Sequence, residues 1–542
     1  MYCKTCGTSN PDWSNYCSQD GTALLHPCTG QRADLVKREK HFCSGCGSET
    51  AKTDNYCMTC GQTLLTYQVT KRAEKSVGGE ERERVGISLS SIFSIHYVKK
   101  AIIPALAAFV ITLLLSFVGF TVNDQFYEDI FNESLGITPS EIADQASAEF
   151  GTDIKEPGEI FGFTDTVMMA HMLSPKYKLQ AEIHEGYDDF EVSGDLKIGF
   201  SYVVFILFPF IGLFISGLLY GRKNGEKNLQ SFLGGAVGIG LIYGLILTVF
   251  SIFSGYHYKL DLPEEDFMVK ISSSYPIIGT FLKGLIFGIS FSMAGMLFSI
   301  DKRRVTKHLE KTIPYGNAVH QGIAAFTRGF VILSLITVIF IAGKLKDWQE
   351  GLAYLDIPGI DALFEKSAMT AGYIGVQLSS MIYSMLHFSP LSFMMEKEND
   401  GVGIAYSIFS GFKTTGEASS GDTTFMNFLF SSSNIDVMLK LATLLPVALL
   451  IFGGCAMAKS KQSSYVSLAI LSIVYGLLTA ALASFSAISA EGLFQVKGDD
   501  DEAFSFSLAV STFRVFIFGF IIAYIASFAG SCIPKFLHRS SK

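Results

Sequence analysis

Apolar residues arrive in blocks of about twenty with no acid inside them beyond Asp436 at the edge of one, separated by polar stretches. About twenty residues at helical rise match the hydrocarbon thickness of a bilayer. The blocks at 101–122, 199–220, 231–253, 277–300, 323–343, 436–457, 465–487 and 507–531 therefore predict eight membrane spans. A ninth block, 368–395, is broken by Gln377, His387 and Pro390 and is expected to stay out of the membrane as an interfacial helix or buried hairpin. Between spans, Thr138-Pro139-Ser140-Glu141 reads as a capping box with Pro at the first helical position. Tyr177–Phe200 alternates loosely, as a small hairpin would.

Composition agrees with the pattern. Of 542 residues, 49% are hydrophobic and 17% charged, where a soluble protein carries about 25% charged residues. That excludes a soluble enzyme, a collagen-like chain and a disordered chain. Ten Cys, eight of them in the first sixty residues, are too few and too local for a disulfide scaffold. The net charge of −8 argues against nucleic-acid binding.

The cysteines lie in two stretches repeated at an offset of 40. Cys3-Lys4-Thr5-Cys6-Gly7 and Cys17-Ser18-Gln19-Asp20-Gly21 match Cys43-Ser44-Gly45-Cys46-Gly47 and Cys57-Met58-Thr59-Cys60-Gly61. In C-x-x-C the chain turns so that two thiolates aim at one point, and the following Gly allows the positive φ such a turn needs. Two such knuckles complete a closed S₄ shell, which suits structural Zn²⁺. Each unit, 1–27 and 41–66, is too small for a core of its own, so metal would supply folding energy. A redox pair, the other use of C-x-x-C, needs a βαβ context that is missing. The expected ligands are Cys43, Cys46, Cys57 and Cys60 in the second unit, and Cys3, Cys6 and Cys17 in the first. Asp20 stands where the fourth Cys of the first unit belongs. It is an oxygen ligand, or His26 or Cys28 folds back instead, or that unit has lost its metal. One or two zinc ions per chain follow.

These residues resemble the paired zinc-ribbon modules at the N-termini of bacterial membrane proteins, especially of Gram-positive bacteria. The resemblance covers residues 1–66. It implies two small β ribbons ahead of a membrane anchor and a module that binds a protein or nucleic acid, and it implies no reaction.

Residues 67–100 form a charged cytoplasmic linker with a short amphipathic stretch near Ile87–Val98. With eight spans and an inward N-terminus, 26 of the 42 Lys and Arg fall inside and 12 outside. The short inner loops hold Arg222-Lys223, Lys302-Arg303-Arg304 and Lys459 with Lys461. This satisfies the positive-inside rule and places both termini in the cytoplasm of a multi-pass cell-membrane protein. A reducing cytosol also suits zinc thiolates. No signal peptide is expected ahead of the ribbons, because the first apolar block begins near residue 101.

The spans divide into two sets of four, 101–300 and 323–531, with long outer segments 123–198 and 344–435. Ile242-Tyr243-Gly244-Leu245 resembles Val474-Tyr475-Gly476-Leu477, and Met172-Leu173-Ser174-Pro175 echoes Met385-Leu386-His387-Phe388-Ser389-Pro390. Lys283 precedes Ile286-Phe287-Gly288 as Arg514 precedes Ile517-Phe518-Gly519. A 4+4 parallel duplication is expected, an arrangement some transporters use. Lys283 and Arg514 then form a candidate anion site, with snorkelling as the plainer reading. His171 and His387 are read as external ligands or, more plainly, as polar surface. Gly234/Gly238, Gly240/Gly244 and Gly284/Gly288 predict close helix contacts. Apart from Asp436 at the first position of its block, the spans hold no Asp or Glu, which argues against a proton- or sodium-coupled transporter. H-E-x-x-H, G-x-S-x-G and Walker A patterns are all missing, so an enzyme is not expected. The first function expected is an envelope sensor or scaffold whose ribbons meet a protein partner. The alternative is a transporter or channel-like permease for a small or anionic solute, regulated by the ribbons.

Overall fold

The computed structural model describes most of residues 2–24, 41–62 and 93–539. The longer stretches left out within those ranges are 51–55, 156–161, 224–228, 301–305, 353–366 and 416–434. The chain divides into two units, Met1–Arg84 and Val85–Lys542.

In the first unit, strands β1 (His41–Phe42) and β2 (Glu49–Thr50) pair antiparallel across the second C-x-x-C knuckle. The bridge Tyr2↔Ser9 is its counterpart in the first knuckle. The offset of 40 recurs in the hydrogen bonds: Cys3 N donates to Thr8 O as Cys43 N does to Ser48 O, and Cys17 N donates to Thr22 O as Cys57 N does to Gln62 O. Gly7 and Gly61, each just after a C-x-x-C, take φ of 71° and 74°, the left-handed values a side chain disfavours. The two halves also dock reciprocally. Asn15 N and Tyr16 N donate to Met58 O at 2.8 and 2.9 Å, and Tyr56 N donates to Ser18 O at 3.1 Å.

Among the described residues, the second unit carries eight helices long and apolar enough to cross a membrane: Ile95–Asn123, Val203–Lys223, Leu229–Ile252, Ile277–Ile300, Gly316–Asp347, Ile435–Lys459, Tyr465–Ser486 and Thr512–Pro534. They belong to α1 (Ile95–Leu135), α4 (Leu207–Lys223), α5 (Leu229–Ile252), α6 (Ile277–Ile300), α7 (Gly316–Leu352), α9 (Ile435–Ala442) with α10 (Leu444–Lys459), α11 (Tyr465–Ser486) and α12 (Thr512–Arg539). Helices α2 (Pro139–Phe150), α3 (Phe163–Ala170) and α8 (Ser367–Met385) lie in the long segments. Helix α2 opens at Pro139, as the capping box predicts.

The segments joining spans 1–2, 3–4, 5–6 and 7–8 emerge on one side by parity, and together they build one nine-stranded sheet. Its strands are β3 (Lys176–Glu185), β4 (Asp188–Gly199), β5 (His257–Leu262), β6 (Phe267–Ser274), β7 (Leu391–Lys397), β8 (Asp400–Ser407), β9 (Gly411–Thr415), β10 (Ile488–Val496) and β11 (Glu502–Val510). The order is β5-β6-β3-β4-β10-β11-β7-β8-β9, antiparallel throughout. The hairpin expected near Tyr177–Phe200 is present as β3–β4. The short connections between spans 3 and 4 and between spans 7 and 8 are the hairpins β5–β6 and β10–β11. The start of the last span is corrected: residues 507–510 complete β11, and the helix begins at Thr512. Alternation of Phe504, Phe506 and Leu508 with Ser505 and Ser507 is a strand period hidden in an apolar run.

Glycine sets the helix spacing. A Cβ on Gly288 would fall on the backbone of Gly240, and one on Gly284 would reach Gly244 Cα at 2.8 Å, so the expected pairs Gly240/Gly244 and Gly284/Gly288 meet each other, while Gly234 and Gly238 face Tyr97 and Ala101 of α1. The same contacts recur in the second half. Gly217 abuts the Ser292 carbonyl as Gly454 abuts that of Ser527, and Gly295 abuts Phe214 O as Gly530 abuts Ile451 O.

Candidate metal centre and paired membrane corners

The sulfurs of Cys43, Cys46, Cys57 and Cys60 lie within 4.8 Å of one another, as do those of Cys3, Cys6 and Cys17. Cys43–Cys60, Cys46–Cys57 and Cys6–Cys17 are 3.6, 3.5 and 3.4 Å apart. Tetrahedral zinc with bonds of about 2.3 Å sets its sulfurs about 3.8 Å apart, so both clusters fit the ion with slight expansion. Hydrogen bonding to the Ser48 hydroxyl and backbone holds the Cys46 thiol down to about 6. Cys60 is lowered by the Gln62 backbone but crowded by Cys46, Cys43 and Cys57, and it rises to about 12. Four thiolates at one point repel each other, and a cation relieves that repulsion. Asp20, His26 and Cys28 lie outside the described residues, so the described part of the first cluster is its three sulfurs.

In the membrane unit two buried corners stand out. Helix α3 ends at His171, whose Nδ1 lies 2.7 Å from the Val167 carbonyl and whose Nε2 lies 2.9 Å from the Tyr243 hydroxyl. Thr112 Oγ1 is 3.2 Å beyond. The chain then turns through Met172 at φ 56° and enters β3. Helix α8 ends the same way. His387 Nδ1 lies 2.9 Å from the Tyr383 carbonyl, and Nε2 lies 2.8 Å from the Tyr475 hydroxyl, which is 3.0 Å from that of Tyr383. Phe388 turns at φ 60° into β7. A carbonyl facing Nδ1 requires the proton there, so in the neutral ring Nε2 accepts from the tyrosine. Both histidines and both receiving tyrosines are fully buried. The expectation of surface histidines is thereby corrected: burial demands a partner for each ring nitrogen, and a tyrosine at the centre of a span supplies one. The signal was in the sequence, as the Tyr-Gly and Ser-Pro echoes, but only the fold joins them.

Buried Asp165 on α3 accepts from Tyr275 Oη at 2.7 Å and from Gly162 N at 3.0 Å. Gln377 on α8 ties the halves together, accepting from Val203 N at 3.0 Å and donating to Ser486 O at 2.9 Å. The ninth block is therefore a helix packed against α7 and α11, ending in the His387 corner.

Lys283 is half-buried and donates to the Met172 carbonyl, whereas Arg514 is exposed. The helix contacts also shift their pairing. Gly244 faces Phe281 O and Leu285 N, and Gly476 faces Phe516 O and Phe520 N, an offset of 235. At that offset Lys283 corresponds to Phe518 and Arg514 to Gly279, one helical turn from the pairing the sequence echoes imply. The structure brings the thiols together and does not pair the two cations by position.

Eight spanning helices with N-terminal thiol clusters able to hold metal define an integral membrane protein of two units. No family model, curated protein or solved structure matches the chain.

Proposed function

We propose that the protein is a non-enzymatic scaffold or sensor of a bacterial cell envelope, descended from a tandem duplication of a four-span unit. Both termini lie in the cytoplasm, and the nine-stranded sheet lies outside. The ribbons hold structural zinc, bind a protein partner and pass information to or from the membrane unit.

The observation that carries this reading over a permease is the seam between the halves. Strand β4 pairs with β10 over eight residues, from Ser489↔Gly199 to Val496↔Val192, and Lys197 reaches Glu491 across it at 3.2 Å. Gln377 adds a second tie nearer the helices. Transport by rocking one repeat against the other would have to break such ties in every cycle, whereas a scaffold gains from them.

The experiment locks the seam. Ser193 and Gln495 are register partners across β4 and β10. A Ser193→Cys/Gln495→Cys disulfide should leave the protein's ability to complement its own deletion intact. Cys43→Ser with Cys46→Ser should abolish complementation while the membrane unit still assembles. Loss of complementation on oxidation, restored by reductant, would overturn the scaffold reading in favour of moving halves.

A further inference from the structure

The register of the sheet gathers its apolar side chains on one face. Leu508, Phe393 and Ile404 align across three strands, as do Phe506, Met395 and Val402. Ile271, Leu179 and Phe494 continue the face into the other half, with Gly194 between Leu179 and Phe494. The opposite face carries Lys178, Gln180, Asp195, Glu491 and Ser505. An antiparallel sheet with one apolar face ordinarily packs that face on a core. Here Phe393, Phe494, Phe504 and Phe506 remain only half-buried and Met395 is 51% exposed. Among the described elements, the helices meet the sheet at the strand ends nearest the spans: α8 and α11 pack on β11, Leu391 and Val510 lie against Ala483 and Val515, and Tyr406 and Phe412 lie in a cluster with Leu439, where Tyr406 Oη donates to Asp436.

Continuity identifies the occupant. One residue, Ala487, separates α11 from β10, and one, Ser511, separates β11 from α12. The apolar face therefore starts where the spans end, beside outer-end side chains such as Phe513, 73% exposed, and Ile278, 77% exposed, which have the character of lipid-facing groups. It runs about six residues along β7 and β11, roughly 20 Å at strand rise. It ends at an ion pair on the same face, Lys397–Glu502 at 3.4 Å. An apolar track that leaves the bilayer and stops at charges suits a chain with a polar head. We propose that this face holds the acyl chains of a membrane amphiphile drawn from the adjoining leaflet, with its headgroup toward Lys397.

The test uses the full chain in vesicles of phosphatidylglycerol carrying a diazirine on the acyl chain. After irradiation, label is expected on peptides of β7, β10 and β11 as well as on the spans. Phe504→Ser with Phe506→Ser should cut strand labelling at least fivefold and leave span labelling unchanged. A second variant, Phe504→Trp, keeps the face apolar; brominated acyl chains should quench the fluorescence that this substitution adds. Label confined to the spans, together with no quenching of the added fluorescence in Phe504→Trp, overturns the proposal. Cross-links between copies at these strands overturn it in favour of a second copy as occupant.

Discussion

His171 Nε2 sits 2.9 Å from the Tyr243 hydroxyl, and 2.8 Å separates His387 Nε2 from that of Tyr475. In each half a helix outside the eight spans ends on a histidine, which a tyrosine of that half's third span receives. The corner that follows starts a strand of the shared sheet. Each pair thus pins a segment between spans to the bundle, so the sheet is placed by two buried hydrogen bonds deep among the helices.

Removing one partner of such a pair leaves the other buried and unsatisfied. Tyr475→Phe should destabilise the protein by about 1–3 kcal/mol, as should Tyr243→Phe. In a cycle with His387→Ala, the Tyr475→Phe cost should shrink by about 1 kcal/mol, because the histidine is no longer orphaned. Unfolding in detergent measures both. Strict additivity would show that the pair does not interact.

Helix spacing gives a paired prediction. A side chain at Gly217 or Gly454 meets the Ser292 or Ser527 carbonyl, and neither backbone can move without separating two spans. Gly217→Val and Gly454→Val should each cost at least ~1–3 kcal/mol and broaden the size-exclusion profile. A Cβ at Gly343 meets nothing within 4 Å, so Gly343→Ala should be silent.

Metal content should lie between one and two zinc per full-length chain purified with reductant. Cys43→Ser with Cys46→Ser should remove one zinc, and Cys3→Ser with Cys6→Ser only what the first cluster holds. A zinc content near zero in the unmutated protein would end the zinc assignment.

Acidity should register at Asp165, whose carboxyl burial raises above its usual range despite the bond from Tyr275. A folded pKa above the unfolded one makes this group's contribution greatest below the unfolded value, about 4. It then declines as pH rises toward the folded value, where the buried group must give up its proton. Relative to Asp165→Asn, which does not titrate, the wild type should lose melting temperature as pH climbs above about 4. A difference independent of pH would refute the shift.

Sidedness is open to direct measurement. Ser193→Cys, in the sheet, should react with a membrane-impermeant maleimide on intact cells, and Ser464→Cys, between spans 6 and 7, should react only after lysis. The reverse pattern would invert the protein in its membrane.

The eight spans and the thiol clusters could be read from the chain alone, because both signals are local. Helix length against bilayer thickness is judged within one block, and C-x-x-C brings its two ligands together within a single turn. Even the Gly pairs of α5 and α6 were legible, since a close contact needs small residues at helical spacing. The sheet and the corners belong to the folded molecule. Strand β4 meets β10 across almost three hundred residues, and no period within either strand names its neighbour. His387 and Tyr475 look ordinary apart and acquire a role only when two helices bury them together. Lys283 and Arg514 show the converse: a match in sequence that helix packing sets one turn out of step, because contact between glycines decides which residues are level.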